Sequence, residues 1–282
     1  MVAPDRDKLR RSFRVDKAPA VSGAAPAGDE RGELRAFLQR RLPRPARVAL
    51  PAGAESVTAH GPLWRRELRY PLASRHGTVP LARAQDLDGE VLATLAKDDT
   101  FRSLRLEQCL FVDTETTGLH GGAGTVVFAY GLAFVRGDEL IVEQLFLRDF
   151  GEEVAMLQHF AARLAEFPVL VTFVGKSFDR HRIAARLALH KLQAPVVTAR
   201  HLDLFHLVRR AHGKAWPDTR LRTAEERLLG LCRADDLPGS EAPAAFFAWL
   251  RDGTGPVDRV LEHNRLDVLS LVALLGALAG KA

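Results

Sequence analysis

Cysteine is nearly missing: Cys109 and Cys232 are the only two in 282 residues. That excludes a disulfide framework and points to a reducing compartment. No Cys/His cluster stands at zinc-ligand spacing, which argues against zinc. The opening residues, MVAPDRDKLRRSF, are charged throughout and lack the apolar core of a signal peptide. Long hydrophobic runs are also missing. The uncharged stretch at 268–280 has 13 residues, too few to span a bilayer, and reads as a buried helix. There is no internal repeat. These absences together lead to the expectation of a cytoplasmic protein with no membrane segment.

What is present is the balance of a globular chain, 47% hydrophobic and 27% charged, with a net charge of +5. The charge is unevenly spread. Between residues 180 and 222 there are ten Lys/Arg against Asp203 and Asp218, a net +8, leaving the remainder at −3. Such a run serves either as solvated helix faces or as a basic flank that steers phosphates toward an acidic site.

Residues 1–32 are rich in Ala, Pro, Gly and charge, without an apolar period, and are expected to be a disordered tail. Residues 33–105 read as an N-terminal extension: a short helix at 33–42, short strands between 48 and 80 with turns near Gly61 and Gly77, and a helix at 87–95. The main domain is expected over 106–280. It opens with a strand at 110–114, then a glycine-rich loop at 121–124. A hairpin follows (126–135 and 140–147) across an Arg136-Gly137-Asp138 turn, and then a helix at 152–166. Further expected elements are a strand at 169–173, a helix at 178–189, a strand near 201–204, helices near 204–212 and 221–230, and a long last helix at 258–279. This order predicts an α/β fold, a mixed sheet with helices on both faces.

Three motifs carry chemistry. In FVDTETTGL, strand alternation places Asp113 and Glu115 on one face at the end of an apolar run, where two carboxylates repel unless a cation lies between them. In VLVTFVGKSFD, a strand delivers Asp179 to a helix start. A nucleotide-binding P-loop is rejected there, because the glycine required five positions before Gly175 is Leu170. In EHNRLD, His263 and Asp267 are four apart and share a helix face beside an apolar run. Asp267 needs a partner there. Arg265, two residues away, diverges from it, and a metal shared with Asp113 would satisfy it. His201 and His206 are expected to be structural. Lys176 is either a phosphate contact or a solvated lysine at a helix start.

The order Asp-x-Glu, a strand-to-helix Asp, and His ahead of Asp on a C-terminal helix resembles the DEDD-type 3′–5′ exonuclease superfamily, which has a ribonuclease H-like fold. More closely, the chain is similar to the YprB-like ribonuclease H-like proteins. The strings WRRELRYPL, RHGTVPL, DTETTGL, GKSFD, HLDLFH, PGSE and EHNRLDVLSL carry this likeness over about residues 48–278. The resemblance implies a five-stranded mixed sheet and hydrolysis of nucleic acid, single-stranded DNA or RNA being the better match. It implies two Mg²⁺ or Mn²⁺ ions, ~4 Å apart, held by Asp113, Glu115, Asp179 and Asp267. His263 would orient or deprotonate water, and Thr116, Thr117, Gly118 and Leu119 would hold the terminal nucleotide.

Two positions depart from the family pattern. His stands four residues before the last Asp, with Glu262 at the fifth, and Val174 stands where Asn is expected. These departures leave open a second class, a nucleic-acid-binding module without turnover. A structure-specific endonuclease on the same fold is a third reading.

Overall fold

The apolar run ending at Asp113 becomes a central strand because it is buried on both faces. In the computed structural model, which describes residues 47–118, 124–176, 179–193 and 200–281, strand β5 spans Cys109–Thr116, and its first four residues are all buried. The tail at 1–32, the helix expected at 33–42, Leu119 and most of the glycine-rich loop lie outside the described residues. Strand β5 pairs antiparallel with β6 (Val127–Arg136) and parallel with β8 (Val169–Thr172). The β6–β7 hairpin turns at Gly137, whose φ of 62° a side chain would resist, and β7 covers Glu139–Phe146. Strand β9 (Arg200–Asp203) extends the parallel side.

The sheet reaches seven strands rather than five. Strands β1 (Ala54–Thr58) and β2 (Gly61–Pro71) come from the region expected to be an extension and join the same sheet, in the order β1-β2-β7-β6-β5-β8-β9. The reason is edge protection. Every residue of β7 after Glu139 is buried, so without β2 alongside it the unpaired backbone of a largely apolar edge strand would be open to water. A small second pair, β3 (Arg75–His76) and β4 (Val79–Pro80), turns at Gly77 with φ 60°.

Helices cover both faces. Helix α1 (Gly89–Ala96) starts at Asp88, whose carboxylate accepts from the Glu90 and Val91 amides. On one face, α2 (Glu153–Ala165) and α3 (Asp179–Leu189) bring Met156, Phe160, Ile183 and Leu187 against Leu110, Val112, Tyr130 and Leu132. On the other, α4 (Leu204–His212) and the last helix pack Leu207, Leu271 and Leu275 against Phe111, Ala133 and Val171. The helix expected at 221–230 is a short α5 (Leu221–Ala224) running into a π-helical turn at Glu225–Leu229. Helix α6 (Ala242–Asp252), which the sequence reading did not anticipate, stacks Phe246 on Phe128 at 4.2 Å. The last helix, α7, covers Val257–Ala279. Among the described residues no helix is long and apolar enough to cross a membrane.

One contact sets where α7 lies. Gly131 of β6 stands opposite Asp113 in the ladder, and a Cβ there would come within 2.6 Å of Asn264 Oδ1 and Val268 Cγ2. The missing side chain lets α7 press onto the sheet and brings Asn264 to Asp113. We predict that Gly131→Ala lowers stability by about 1–3 kcal/mol, because both neighbours must move. Urea unfolding of the variant against wild type measures this.

Candidate active site

Alternation along β5 sends its polar residues to two faces. Asp113 accepts a hydrogen bond from Asn264 Nδ2 on α7 at 2.8 Å, and Glu115, two residues on, shares the Asp113 face and is buried. Thr114 points the other way and donates its hydroxyl to Asp179 Oδ1 at 2.7 Å. The irregularity between Glu115 and Thr116 ends the ladder just beyond the acids.

Asp179 opens helix α3, reached from β8 through a tight loop. Asp203 ties that loop down: its carboxylate accepts from the Val174 amide at 2.8 Å and the Lys176 amide at 3.0 Å, and it also caps α4. Sequence reading singled out HLDLFH without giving Asp203 this work. The loop forces Val174 to φ 64°, in the left-handed region that β-branched residues avoid. Asn at this position would suit the backbone, which is a physical reason for the residue expected there.

Helix α7 supplies His263, Asn264 and Asp267. Asp267 does find a partner, and it is one the sequence reading did not weigh: Arg233 Nη1 lies 2.5 Å from Asp267 Oδ1. Arg265 instead pairs with Glu262 and with the Tyr70 hydroxyl, so Glu262 is turned away from the acids. His263 Nδ1 is 2.8 Å from Asp236 Oδ2, while its Nε2 is 3.6 Å from Asp267 Oδ2. A carboxylate can only accept, so the His263 Nδ1 that faces Asp236 is the donor of that hydrogen bond. Asp236, Asn264 and Arg233 are the residues sequence reasoning missed. Only Asn264 had a local signal, since it lies one turn before Asp267.

The electrostatics fit a crowded acidic site. Burial, reinforced by the negative charges of Asp267 and Asp179, pushes the Asp113 carboxyl well above its ordinary value, and Asn264 offsets only part of this. Burial likewise raises Glu115, with Asp113, Asp267, Asp179 and Asp236 adding to it. Burial lifts Asp179 to about 6 despite the Thr114 hydrogen bond. Asp113 and Glu115 therefore each feel the charges of Asp179 and Asp267, although these acids come from three separate segments. For a carboxyl raised in this way the folded state holds the extra proton, so its contribution is fully favourable below the unfolded value and declines as pH climbs through the folded one.

The other residues named from the sequence have partners of their own. The Thr116 hydroxyl donates to the Gly118 carbonyl and the Thr117 hydroxyl accepts from the Val126 amide, so both shape their own turn. Lys176 is exposed and lines a separate cavity of about 200 Å³ with Asp98, His206 and Arg210. His201 is buried against the Thr172 hydroxyl at 2.7 Å, and burial lowers it to about 3. Part of the basic segment is engaged within the chain: Arg186 is buried and binds Glu153, and the exposed Arg210 reaches the Leu95 carbonyl. Arg220 and Arg222, by contrast, line a cavity of about 440 Å³ together with Arg233, Gly239, His263 and Asp267. Gly239 of the PGSE string lies against the His263 ring, 3.5 Å from where its Cβ would stand.

The donor chemistry suits a hard divalent cation, since buried carboxylate oxygens that repel one another are what Mg²⁺ or Mn²⁺ relieves. Among the described residues, however, no three His, Cys, Asp or Glu side chains form a ready-made ligand set, and Asp267 is turned to Arg233. We predict that Val174→Asn stabilises the protein by about 1 kcal/mol by relieving the left-handed strain. A higher melting midpoint is the expected result.

Comparison with known proteins identifies the family. Residues 110–279 match the RNase_H superfamily, a span that runs from β5 to the end of α7. The uncharacterized protein YprB of Bacillus subtilis (strain 168) is 35% identical over 216 residues, which is 74% of this chain and 51% of that protein. The chain thus spans about half the length of that relative. The family B DNA polymerase from the hyperthermophilic archaeon Pyrobaculum calidifontis aligns with a TM-score of 0.46 and 11% identity, covering 81% of this chain and 45% of that one. From the strand that carries Asp113 and Glu115 to the helix that carries Asp267, this chain belongs to the RNase H superfamily, in its YprB-like branch.

Proposed function

We propose that the chain is a divalent-cation-dependent 3′–5′ exonuclease acting on single-stranded nucleic acid. What supports this reading is that the buried Asp113 and Glu115 each feel the negative charges of Asp179 and Asp267, with Asn264 and Arg233 offsetting only part of this at Asp113. Two Mg²⁺ or Mn²⁺ ions bound there would neutralise a phosphate and acidify water. Asp113 would hold both, Glu115 and Asp267 the first, and Asp179 the second. Asn264 fixes the Asp113 carboxylate, and Thr114 fixes Asp179.

His263 is arranged as a base with its own orienting acid. Asp236 accepts from Nδ1 and orients the ring; in its neutral form Nε2 would take a proton from water, a role worth ~10²–10⁴-fold in rate. This pairing gives a physical role to His at the four-residue spacing. The arginines at 220 and 222 border the cavity beside His263 and suit an incoming phosphodiester backbone.

A second reading, a nucleic-acid-binding module without turnover, is favoured by the Arg233–Asp267 ion pair and by the lack of a ready-made ligand set among the described residues. One experiment separates the readings: 5′-labelled single-stranded DNA and RNA, incubated with Mg²⁺, Mn²⁺ or EDTA. Stepwise shortening from the 3′ end that requires metal, and that Asp113→Ala lowers at least about a hundredfold, is expected. Binding with no metal-dependent cleavage supports the second reading. Cleavage of a closed circle makes the protein an endonuclease.

A further inference from the structure

Arg233 is the most unusual charged group near the site. Its side chain is almost wholly buried, and the guanidinium faces three carboxylates: Asp267 at 2.5 Å, Asp236 at 3.2 Å, and Glu225 in close contact. Ser270 on α7 joins them, 3.3 Å from Arg233 and donating to Glu225. The π-helical turn at Glu225–Leu229 presents Glu225, itself buried, to this cluster. Among the described residues Arg233 Nε is buried without a partner, so the cation is held by charge rather than by a full set of hydrogen bonds.

Asp267 is thus claimed through Oδ1 by an internal cation, while Oδ2 faces His263. We infer that Arg233 is a built-in counter-cation that competes with divalent metal for Asp267, and that Glu225 sets the strength of the competition by sharing the guanidinium. This rests on the acidic site being a metal site, as proposed above. The arrangement solves a folding problem. Without metal, Asp267 would be one more uncompensated acid beside Asp113 and Glu115, and a buried unpaired charge is strongly destabilising. The same pairing weakens metal binding, because a cation entering at Asp267 meets the positive charge of Arg233. Arg233 is a positioning residue here, acting on the reaction only through Asp267.

Two substitutions are expected to move metal affinity in opposite directions. Removing the competitor with Arg233→Gln tightens Mn²⁺ binding by roughly tenfold. Glu225→Gln frees Arg233 to bind Asp267 more strongly and weakens Mn²⁺ binding several-fold. Arg233→Lys keeps the charge but loses the fork geometry, and falls between wild type and Gln. Isothermal titration of each full-length protein with MnCl₂ reads the affinities, and circular dichroism confirms folding. Should Arg233→Gln fail to fold, the Lys and Glu225 variants still carry the opposite signs. Weaker or unchanged binding in the Arg233 variants overturns the inference and makes Arg233 a structural support. If the wild type binds no Mn²⁺, or binds it equally well as Asp113→Asn, the metal-site reading itself fails and the inference falls with it.

Discussion

Like-charge repulsion among buried carboxylates is the constraint on which the rest of this structure turns. Three segments far apart in sequence deliver acids to one end of a sheet, where burial makes each charge more costly than it would be in water. A fold optimised only for stability would have no reason to do this. Three of the four acids have a neutral or cationic companion: Asn264 for Asp113, Thr114 for Asp179 and Arg233 for Asp267. The companions hold the side chains in place without cancelling the excess charge, a pattern more typical of functional sites than of cores.

The backbone around the site is shaped to the same end. Gly131 gives up a side chain so that α7 can approach β5 closely enough for Asn264 to reach Asp113. Asp203, fully committed to backbone amides, fixes the loop that delivers Asp179, at the cost of a strained Val174. Asp236 orients His263 from a turn between α5 and α6 that has no regular structure of its own. Glu143 shows how the fold treats a structural acid. It is completely buried, and although burial alone would raise it, hydrogen bonds from His159 and Arg163 hold it at about 2. The contrast with Asp113 is physical: one acid is neutralised by its neighbours and the other is not.

The sequence made the acids and their elements legible because they obey local rules. Alternation put Asp113 and Glu115 on one face, a strand-to-helix junction marked Asp179, and helical spacing paired His263 with Asp267. What could not be read is what depends on contacts across the fold. Arg233 and Asp236 lie in a turn with no periodicity, and their partners are 34 and 27 residues away. The two extra strands were visible as strands, but nothing local in 54–71 says that β2 will seal the edge of β7. Helix α6 was overlooked, although Pro243 in its first turn and apolar residues at 242, 245, 246 and 249 follow the helical pattern. Charge counting could not show that Arg186 is buried and spent on Glu153.

The most direct test of uncompensated charge at Asp113 is the melting midpoint in EDTA at neutral pH, for wild type and for Asp113→Asn. Replacing the buried, repelled acid by a neutral amide should raise the midpoint by about 2–4 °C, the shift for roughly 1 kcal/mol in a domain of this size. A lower midpoint for Asp113→Asn would contradict it, showing that Asp113 is a satisfied structural acid rather than one waiting for a cation.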